Sequence, residues 1–183
     1  DEHVVALAGD AAFTCGVSFE ALNNICTSTK RMIVILNDNE WSIDKNVGAI
    51  ADYFNKIVTN PNYAHLHDKA KSFLERLGGK KAVEAAHRIE EAAKGLMLPS
   101  VIFEELGMHY YGPVDGHDVH SLIKTFEFMK EQDHPVLLHA MTQKGKGYEP
   151  ALAKQKAFHG TPAYDIRTGE ATASGPPTFS KIF

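Results

Sequence analysis

The chain has 183 residues, of which 44% are hydrophobic and 23% charged, and its formal net charge is −4. These values are typical of a globular protein with a sizeable core, and they exclude a disordered or fibrous chain. Basic residues occur in short clusters rather than along one stripe, and no apolar run approaches the ~20 residues of a membrane span, so we expect neither a nucleic-acid nor a membrane partner.

The first predicted elements form a βαβ unit. Residues 4–8 (VVALA) and 32–36 (MIVIL) are unbroken apolar runs, typical of strands covered on both faces. Between them, apolar residues at helical spacing predict a helix over about 14–26. This order indicates parallel strands joined by a right-handed crossover. Cys15 and Cys26 would stand several turns apart on the helix, which argues against a disulfide and favours a reducing compartment.

The later part of the chain repeats the alternation of helices and strands after a different segment. Residues 48–98 are rich in Lys, Glu, Ala and His at helical spacing, and they predict two or three surface helices. A short helix, a brief strand, a helix and a core strand follow, at 100–106, 108–111, 121–130 and 135–140. From Thr142 onward Gly, Pro, Lys and Thr predict mostly loop. The sequence therefore predicts an α/β fold, a parallel sheet flanked by helices with a helical insertion.

Oxygen-bearing side chains follow both strands of the βαβ unit. Asp10 comes directly after the first strand, and Asn37-Asp38-Asn39 follow the second. Parallel strands end at the same edge of a sheet, where ligands bind. A carboxylate, an amide oxygen and a carbonyl form the sparse, hard-oxygen site that suits Mg²⁺, and the helix after Asp10 offers free N–H groups to a phosphate. Turn formation alone also explains each motif taken singly.

Two long stretches carry a family resemblance. The stretch GDAAFTCGVSFEALNN, followed by MIVILNDNEWSI, resembles the thiamine diphosphate motif. Within the enzymes that share this motif, the chain resembles the 1-deoxy-D-xylulose 5-phosphate synthase family in ILNDNEWSIDKNVGAI, FEELGMHYYGPVDGHD, LLHAMTQKGKGYEPA and FHGTPAYD, in that order. The resemblance covers almost the whole chain, most loosely at 50–98, and it implies the thiamine diphosphate-binding fold.

The resemblance implies a metal and diphosphate site. Asp10, Asn39 and the carbonyl oxygen of Trp41 would bind Mg²⁺, while Ala11 and Ala12 would offer backbone N–H groups to the diphosphate, which Asn39 would also contact. The chain departs from the family at two of these positions, because Ala11 replaces a glycine and Trp41 a methionine. A need for positive φ at position 11 would strain the turn, whereas a need for the N–H alone would not.

The resemblance also implies the reaction. Lys144 and Tyr148 would line the cofactor site, and His159 would be the catalytic residue that faces the thiazolium ring and the substrate. The reaction would be the condensation of pyruvate with glyceraldehyde 3-phosphate, with loss of CO₂, in the biosynthesis of isoprenoids and thiamine. The full-length protein would be a homodimer in the bacterial cytoplasm or the plastid stroma.

The resemblance also divides the chain into parts. We expect the βαβ unit with the cofactor motif at 1–47, the helical insertion at 48–98, the remainder of a partial diphosphate-binding domain at 99–160, and a linker toward a missing second domain at 161–183. The family's activating glutamate and substrate-binding arginines would lie in that missing domain. We therefore expect the 183-residue chain alone to be inactive.

Two other functions stay open at this stage. A transketolase or another thiamine diphosphate enzyme would keep the Mg²⁺ site with different substrates. A regulatory or assembly module would keep the fold without catalysis, and Ala11 is the feature most compatible with it. The pair His117 and His120 has helical spacing, but support of a loop is a better interpretation than zinc, with Asp118 as a helix cap.

Overall fold

The computed structural model describes residues 2–41, 44, 46–59 and 101–172. The chain divides into two compact units, Asp1–Thr142 and Gln143–Phe183. Among the helices in these ranges, none is both long and apolar enough to cross a membrane. The predicted divisions at 47, 98 and 160 stay predictions.

A four-stranded sheet organises the first unit. Its strands are β1 (Val4–Gly9), β2 (Met32–Asp38), β3 (His109–Asp115) and β4 (Val136–Met141). They lie in the order β1-β2-β4-β3, and every neighbouring pair is parallel. The helices of this unit are α1 (Asp10–Phe13), α2 (Gly16–Ser28), α3 (Ala49–Thr59), α4 (Val101–Glu105) and α5 (Val119–Lys130). The predicted α/β fold with a parallel sheet is confirmed.

Side chains on successive residues of the strands point to opposite faces and bury two separate cores. On one face, Val34 and Leu36 of β2 and Leu137 of β4 pack against the first four helices through Phe13, Leu22, Ile25, Phe54, Ile57 and Phe103. On the other face, Ile33, Val136 and Leu138 pack against α5 through Met129. The sheet is therefore sandwiched between α1–α4 on one side and α5 on the other.

The prediction that β1 is covered on both faces is wrong. Val5 and Leu7 are 54% and 69% exposed, whereas Ala8 packs against the first core. β1 is an edge strand, and its Val5 and Leu7 share the face of Ile33, which α5 covers. In the described ranges α5 does not extend over β1, which leaves Val5 and Leu7 exposed. The apolar run of β1 does not by itself show which of its faces is buried.

The predicted helix over about 14–26 is divided in two. A single turn, α1, follows β1 directly, with Thr14 N donating to the carbonyl of Ala11 (3.2 Å). The extended backbone at Cys15 then separates α1 from α2, which runs to Ser28. Phe13 in α1 is only 2% exposed, and its burial in the core accounts for winding immediately after the strand. Cys15 and Cys26 are free thiols, as predicted.

The remaining predictions differ in outcome. The start of the predicted helical segment forms α3, which buries Phe54 and Ile57 in the first core, and residues 60–98 lie outside the described residues. The described part of the segment after Thr142 is mostly loop, as predicted, and it contains two short helical elements, α6 (Glu149–Ala153) and a 3₁₀ helix (Ala157–His159). Pro150 in the first turn of α6 pre-sets a helical φ and explains this start. Residues 173–183 of the predicted linker also lie outside the described residues.

Candidate functional site

The ends of β1 and β2 bring two carboxylates together. Gly9 and Asn37 are paired in register, so Asp10 and Asp38 are the next residues along two neighbouring strands. Strand alternation directs Asp38 to the face of Val34 and Leu36, which is also the face that α1 covers. Both carboxylates are buried, with Asp10 3% and Asp38 2% exposed.

Asp10 is the first residue of α1, and its carboxylate is only partly satisfied. Oδ2 accepts a long hydrogen bond from the side-chain amide of Asn46 (3.4 Å), while buried Oδ1 has no partner among the described residues. Burial raises the pKa of Asp10, and the charge of Asp38 raises it further, against smaller opposite effects of the backbone N–H of Ala11 and the amide of Asn46. A buried acceptor without a donor is costly and calls for a cation or a proton.

Asp38 is satisfied at both oxygens. Oδ2 lies 2.9 Å from Nε2 of His139, and Oδ1 accepts a hydrogen bond from the backbone N–H of Glu40 (3.1 Å). His139 is fully buried in β4, and its Nδ1 lies 2.7 Å from the hydroxyl of Tyr110 on β3. The carboxylate is thus held from two neighbouring strands and from its own turn.

The turn after β2 contains two of the three predicted metal ligands, Asn39 and Trp41. Oδ1 of Asn39 accepts a hydrogen bond from the backbone N–H of Trp41 (3.0 Å). Asn46 closes the loop, since its backbone N–H donates to the carbonyl of Glu40 (3.1 Å). Glu40 has a φ of 61°, a left-handed conformation that costs free energy in a residue other than glycine. Such strain persists where neighbouring bonds fix the backbone, and here Asp38 and Asn39 supply them.

A small cavity separates the two strand ends from α3. Its volume is about 20 Å³, which is room for one water molecule or one ion. The lining consists of Asp10, Asp38, Glu40, Asn46, Ala51, Phe54 and Asn55. Most of the lining residues are acids or amides, which carry hard oxygen atoms, the ligand type that Mg²⁺ prefers.

The structure brings some of the predicted site residues together. Asp10 lines the cavity, and Asn39 and Trp41 lie in the same turn as two residues that line it. Ala11 and Ala12 lie in α1, so Ala11 has an ordinary helical backbone and the positive φ that only glycine adopts freely is not needed there. That these residues bind metal or diphosphate stays a prediction.

Lys144, Tyr148 and His159 belong to the second unit. Nζ of Lys144 lies 3.1 Å from Nδ1 of His159, and the hydroxyl of Tyr148 donates to the carbonyl of Ile166 (2.7 Å). The Tyr148 ring packs edge-on against Phe158. These contacts fix the three side chains within their own unit, and their predicted roles toward cofactor and substrate stay predictions.

Two minor predictions concern the loop before α5. Asp118 caps this helix, as predicted, because its Oδ1 accepts a hydrogen bond from the backbone N–H of Ser121 (3.0 Å). Within the described ranges, no three His, Cys, Asp or Glu side chains come together in a way that suits a metal, His117 and His120 included. The ligand set predicted at Asp10 is of a different kind, with one carboxylate, one amide and one carbonyl.

Sequence reasoning did not identify His139, Tyr110 or Asn46 as site residues. A histidine inside the apolar run VLLHA was the available signal for His139, because a buried polar side chain needs a partner. Asp38 was noted only as one of three polar residues after β2, although the alternation along the strand directs it toward α1. Asn46 had no such signal, since its contact with Asp10 depends on how the loop folds back.

Comparisons with known proteins agree with the resemblance. A family model described as 1-deoxy-D-xylulose-5-phosphate synthase matches residues 1–142. The 1-deoxy-D-xylulose-5-phosphate synthases of Acidobacterium capsulatum and Methylacidiphilum infernorum are each 63% identical over 182 residues, which cover 100% of this chain and 29% of the relative. The synthase of Aquifex aeolicus is 44% identical over 185 residues, with the same coverage of 100% and 29%. The chain spans about 29% of the length of these relatives.

Proposed function

The chain belongs to the 1-deoxy-D-xylulose-5-phosphate synthase family, and on that premise we propose that it is the part of such a synthase that holds Mg²⁺ and the diphosphate of thiamine diphosphate. The observation that carries this proposal is the buried Oδ1 of Asp10, which has no hydrogen-bond donor among the described residues. Asp10 and a second buried acid, Asp38, line the same cavity. A cation bound to this oxygen would take the place of the missing donor.

The donor set fits Mg²⁺ better than the other metals common in proteins. Carboxylate, amide and carbonyl oxygens are hard ligands, whereas zinc and copper sites use imidazole and thiolate. The ligands would be Asp10, the side-chain oxygen of Asn39 and the carbonyl oxygen of Trp41. Oδ1 of Asn39 keeps a second lone pair for the metal while it accepts from the N–H of Trp41.

The backbone around α1 would hold the diphosphate. Ala11 and Ala12 would donate N–H groups to its oxygens, with Asn39 as a further contact. The helical backbone at Ala11 supports this role, because an alanine offers its N–H there as well as a glycine does. Ala11 therefore gives no support to a non-catalytic module. When bound, thiamine diphosphate supplies a stabilised carbanion at its thiazolium carbon.

Lys144, Tyr148 and His159 keep their predicted roles in this proposal. The ammonium of Lys144 has only donors, so Nδ1 of His159 accepts and the ring carries its proton on Nε2. His159 would thus present an N–H donor to the substrate. Lys144 and Tyr148 would line the cofactor site. The full-length protein would condense pyruvate with glyceraldehyde 3-phosphate, releasing CO₂, as a transferase that supplies isoprenoid and thiamine biosynthesis.

The whole reaction is a property of a longer protein, because the relatives are more than three times the length of the matched region. We propose that this protein is a homodimer in the cytoplasm or the plastid stroma. The isolated chain would lack the catalytic glutamate and arginines that the resemblance assigns to another domain. It would be inactive by itself.

The test uses the full-length protein and two assays in parallel. One follows release of CO₂ from pyruvate with glyceraldehyde 3-phosphate as acceptor, and the other follows ketol transfer between pentose phosphates. The proposal predicts the first activity, its dependence on Mg²⁺ and thiamine diphosphate, and its loss in Asp10→Ala. Ketol transfer without pyruvate consumption would indicate a transketolase, and neither activity would indicate a non-catalytic module.

A further inference from the structure

Three polar side chains form a chain of hydrogen bonds that ends at Asp38, one of the residues that line the cavity. The hydroxyl of Tyr110 on β3 contacts Nδ1 of His139 on β4, at 2.7 Å, and Nε2 of His139 contacts Oδ2 of Asp38 on β2, at 2.9 Å. These strands are adjacent, with β4 in the middle. His139 is 0% exposed and Asp38 2%. We call this set the Tyr110–His139–Asp38 relay.

The donors in the relay follow from its chemistry. The carboxylate of Asp38 only accepts, so Nε2 of His139 carries the proton. In a neutral ring Nδ1 then accepts, and the hydroxyl of Tyr110 is the donor. Every polar atom along this line has a partner of the complementary kind. His139 and Asp38 are buried and have partners, so each is costly to displace, and this makes the network rigid.

Apolar rings hold the relay in place. The ring of Phe103 stacks on Tyr110, with centroids 5.8 Å apart and an interplanar angle of 11°. The ring of Phe54 lies against His139, with centroids 6.2 Å apart. Both phenylalanines are 3% exposed or less. The relay therefore has little freedom to turn toward other partners.

The far end of the relay controls the turn after β2. Asp38 uses its second oxygen, Oδ1, to accept from the backbone N–H of Glu40 (3.1 Å), the residue with a φ of 61°. The next residue repeats the pattern, since Asn39 accepts from the N–H of Trp41 (3.0 Å). The orientation of the Asp38 carboxylate thus decides where this turn places the Asn39 side chain and the Trp41 carbonyl.

We propose that Tyr110 and His139 are positioning residues, which act through Asp38 to fix the turn that presents Asn39 and Trp41 to the divalent cation. This inference rests on the proposed function, because it takes the turn as part of the Mg²⁺ site. Neither residue needs to contact the metal. Partners that orient metal ligands in this way typically contribute about ten- to a hundredfold to metal affinity.

The experiment measures Mn²⁺ binding to the full-length protein by electron paramagnetic resonance, at a fixed concentration of thiamine diphosphate. Tyr110→Phe removes only the hydroxyl, and His139→Leu removes both ring nitrogens. His139→Gln keeps an amide donor for Asp38 and is the rescue variant. Tyr111→Phe is the matched control, because Tyr111 lies on the same strand but packs against Phe128 in the second core.

We expect Tyr110→Phe and His139→Leu to weaken Mn²⁺ binding about ten- to a hundredfold, with His139→Gln close to wild type and Tyr111→Phe unchanged. Thermal unfolding of each metal-free variant is measured in parallel, because a merely structural role lowers the unfolding temperature and leaves Mn²⁺ affinity intact. Wild-type affinity in folded Tyr110→Phe overturns the inference, and this variant decides the matter even where His139→Leu does not fold. A wild-type protein that binds no Mn²⁺ with thiamine diphosphate overturns the proposed function itself.

Discussion

The ends of β1 and β2 carry buried aspartates that line the same cavity, yet their surroundings differ. Asp38 has a partner for each oxygen, His139 at 2.9 Å and the N–H of Glu40 at 3.1 Å. Asp10 has a long side-chain contact with Asn46, at 3.4 Å, and its Oδ1 has no hydrogen-bond partner in the described part of the chain. Burial is nearly equal, at 2% and 3% exposure, so it does not account for the contrast.

The contrast separates two roles for a buried carboxylate. A satisfied carboxylate stabilises the fold, since its desolvation is offset by hydrogen bonds. An unsatisfied one is a cost to the free protein and is retained where a ligand completes it. By this reasoning we expect Asp38, at the end of β2, to support the site, and Asp10, at the end of β1, is the proposed carboxylate ligand of the cation.

The largest expected effect follows from removing the charge at the end of β1. Asp10→Asn in the full-length protein should weaken Mg²⁺-dependent binding of thiamine diphosphate by more than about a hundredfold, the upper value for partners that do not touch the metal. The metal-free protein should unfold at the same or a higher temperature, because a neutral amide is easier to bury beside Asp38 than a carboxylate. Calorimetry and thermal unfolding measure the two effects, and an unchanged binding isotherm would refute the assignment.

The same substitution at the end of β2 should act on stability. The amide of Asp38→Asn offers one oxygen to the two N–H donors of His139 and Glu40. Either one hydrogen bond is lost, or the His139 ring must change its tautomer and leave the hydroxyl of Tyr110 without its acceptor. We expect a loss of about 2 kcal/mol in the unfolding free energy of the metal-free protein. Thermal unfolding checks this, and a variant as stable as wild type would show that Asp38 is not the structural member of the pair.

A third aspartate sharpens the comparison because its role is local. Asp118 caps α5 through the N–H of Ser121 and is not among the residues that line the cavity. Asp118→Ala should cost about 1 kcal/mol of stability, the usual value of an N-cap, with no change in Mg²⁺ affinity. A loss of cofactor binding in this variant would mean that general destabilisation, rather than ligand loss, explains the effect at Asp10.

The smallest effect is expected at the contact between Asn46 and Asp10. A hydrogen bond of 3.4 Å is weak, so Asn46→Ala should change the unfolding free energy by about 0.5 kcal/mol or less. Unfolding of the metal-free protein measures it. A destabilisation as large as that of Asp38→Asn would show that Asp10 is better satisfied than its contacts indicate.

The fold was largely predictable because its signal is local. Apolar runs at 4–8 and 32–36 predict strands wherever they pack, and Asp118 before an apolar pattern predicts a cap. Exposure of Val5 and Leu7 was not predictable, because it depends on which strand lies at the edge and where α5 ends. Local pattern carries no information on either point.

The residue types of the site were predictable from the sequence, but the hydrogen bonds between its side chains were not. Asp10 and Asn39 follow strands, which is visible in the sequence, and parallel strands end at one edge. Asp38 and His139 are 101 positions apart, and only the pairing of β2 with β4 brings them into contact. Whether Asp10 or Asp38 has a full set of hydrogen-bond partners therefore depends on the tertiary structure.

The most direct test of the account is the anomalous scattering of Mn²⁺ in crystals of the full-length protein grown with thiamine diphosphate. We predict one manganese peak within about 2.2 Å of Oδ1 of Asp10, with the side-chain oxygen of Asn39 in the same coordination sphere and His139 still bonded to Asp38. A manganese ion bound elsewhere, with Oδ1 of Asp10 outside coordination distance, would contradict the claim that this strand end holds the metal.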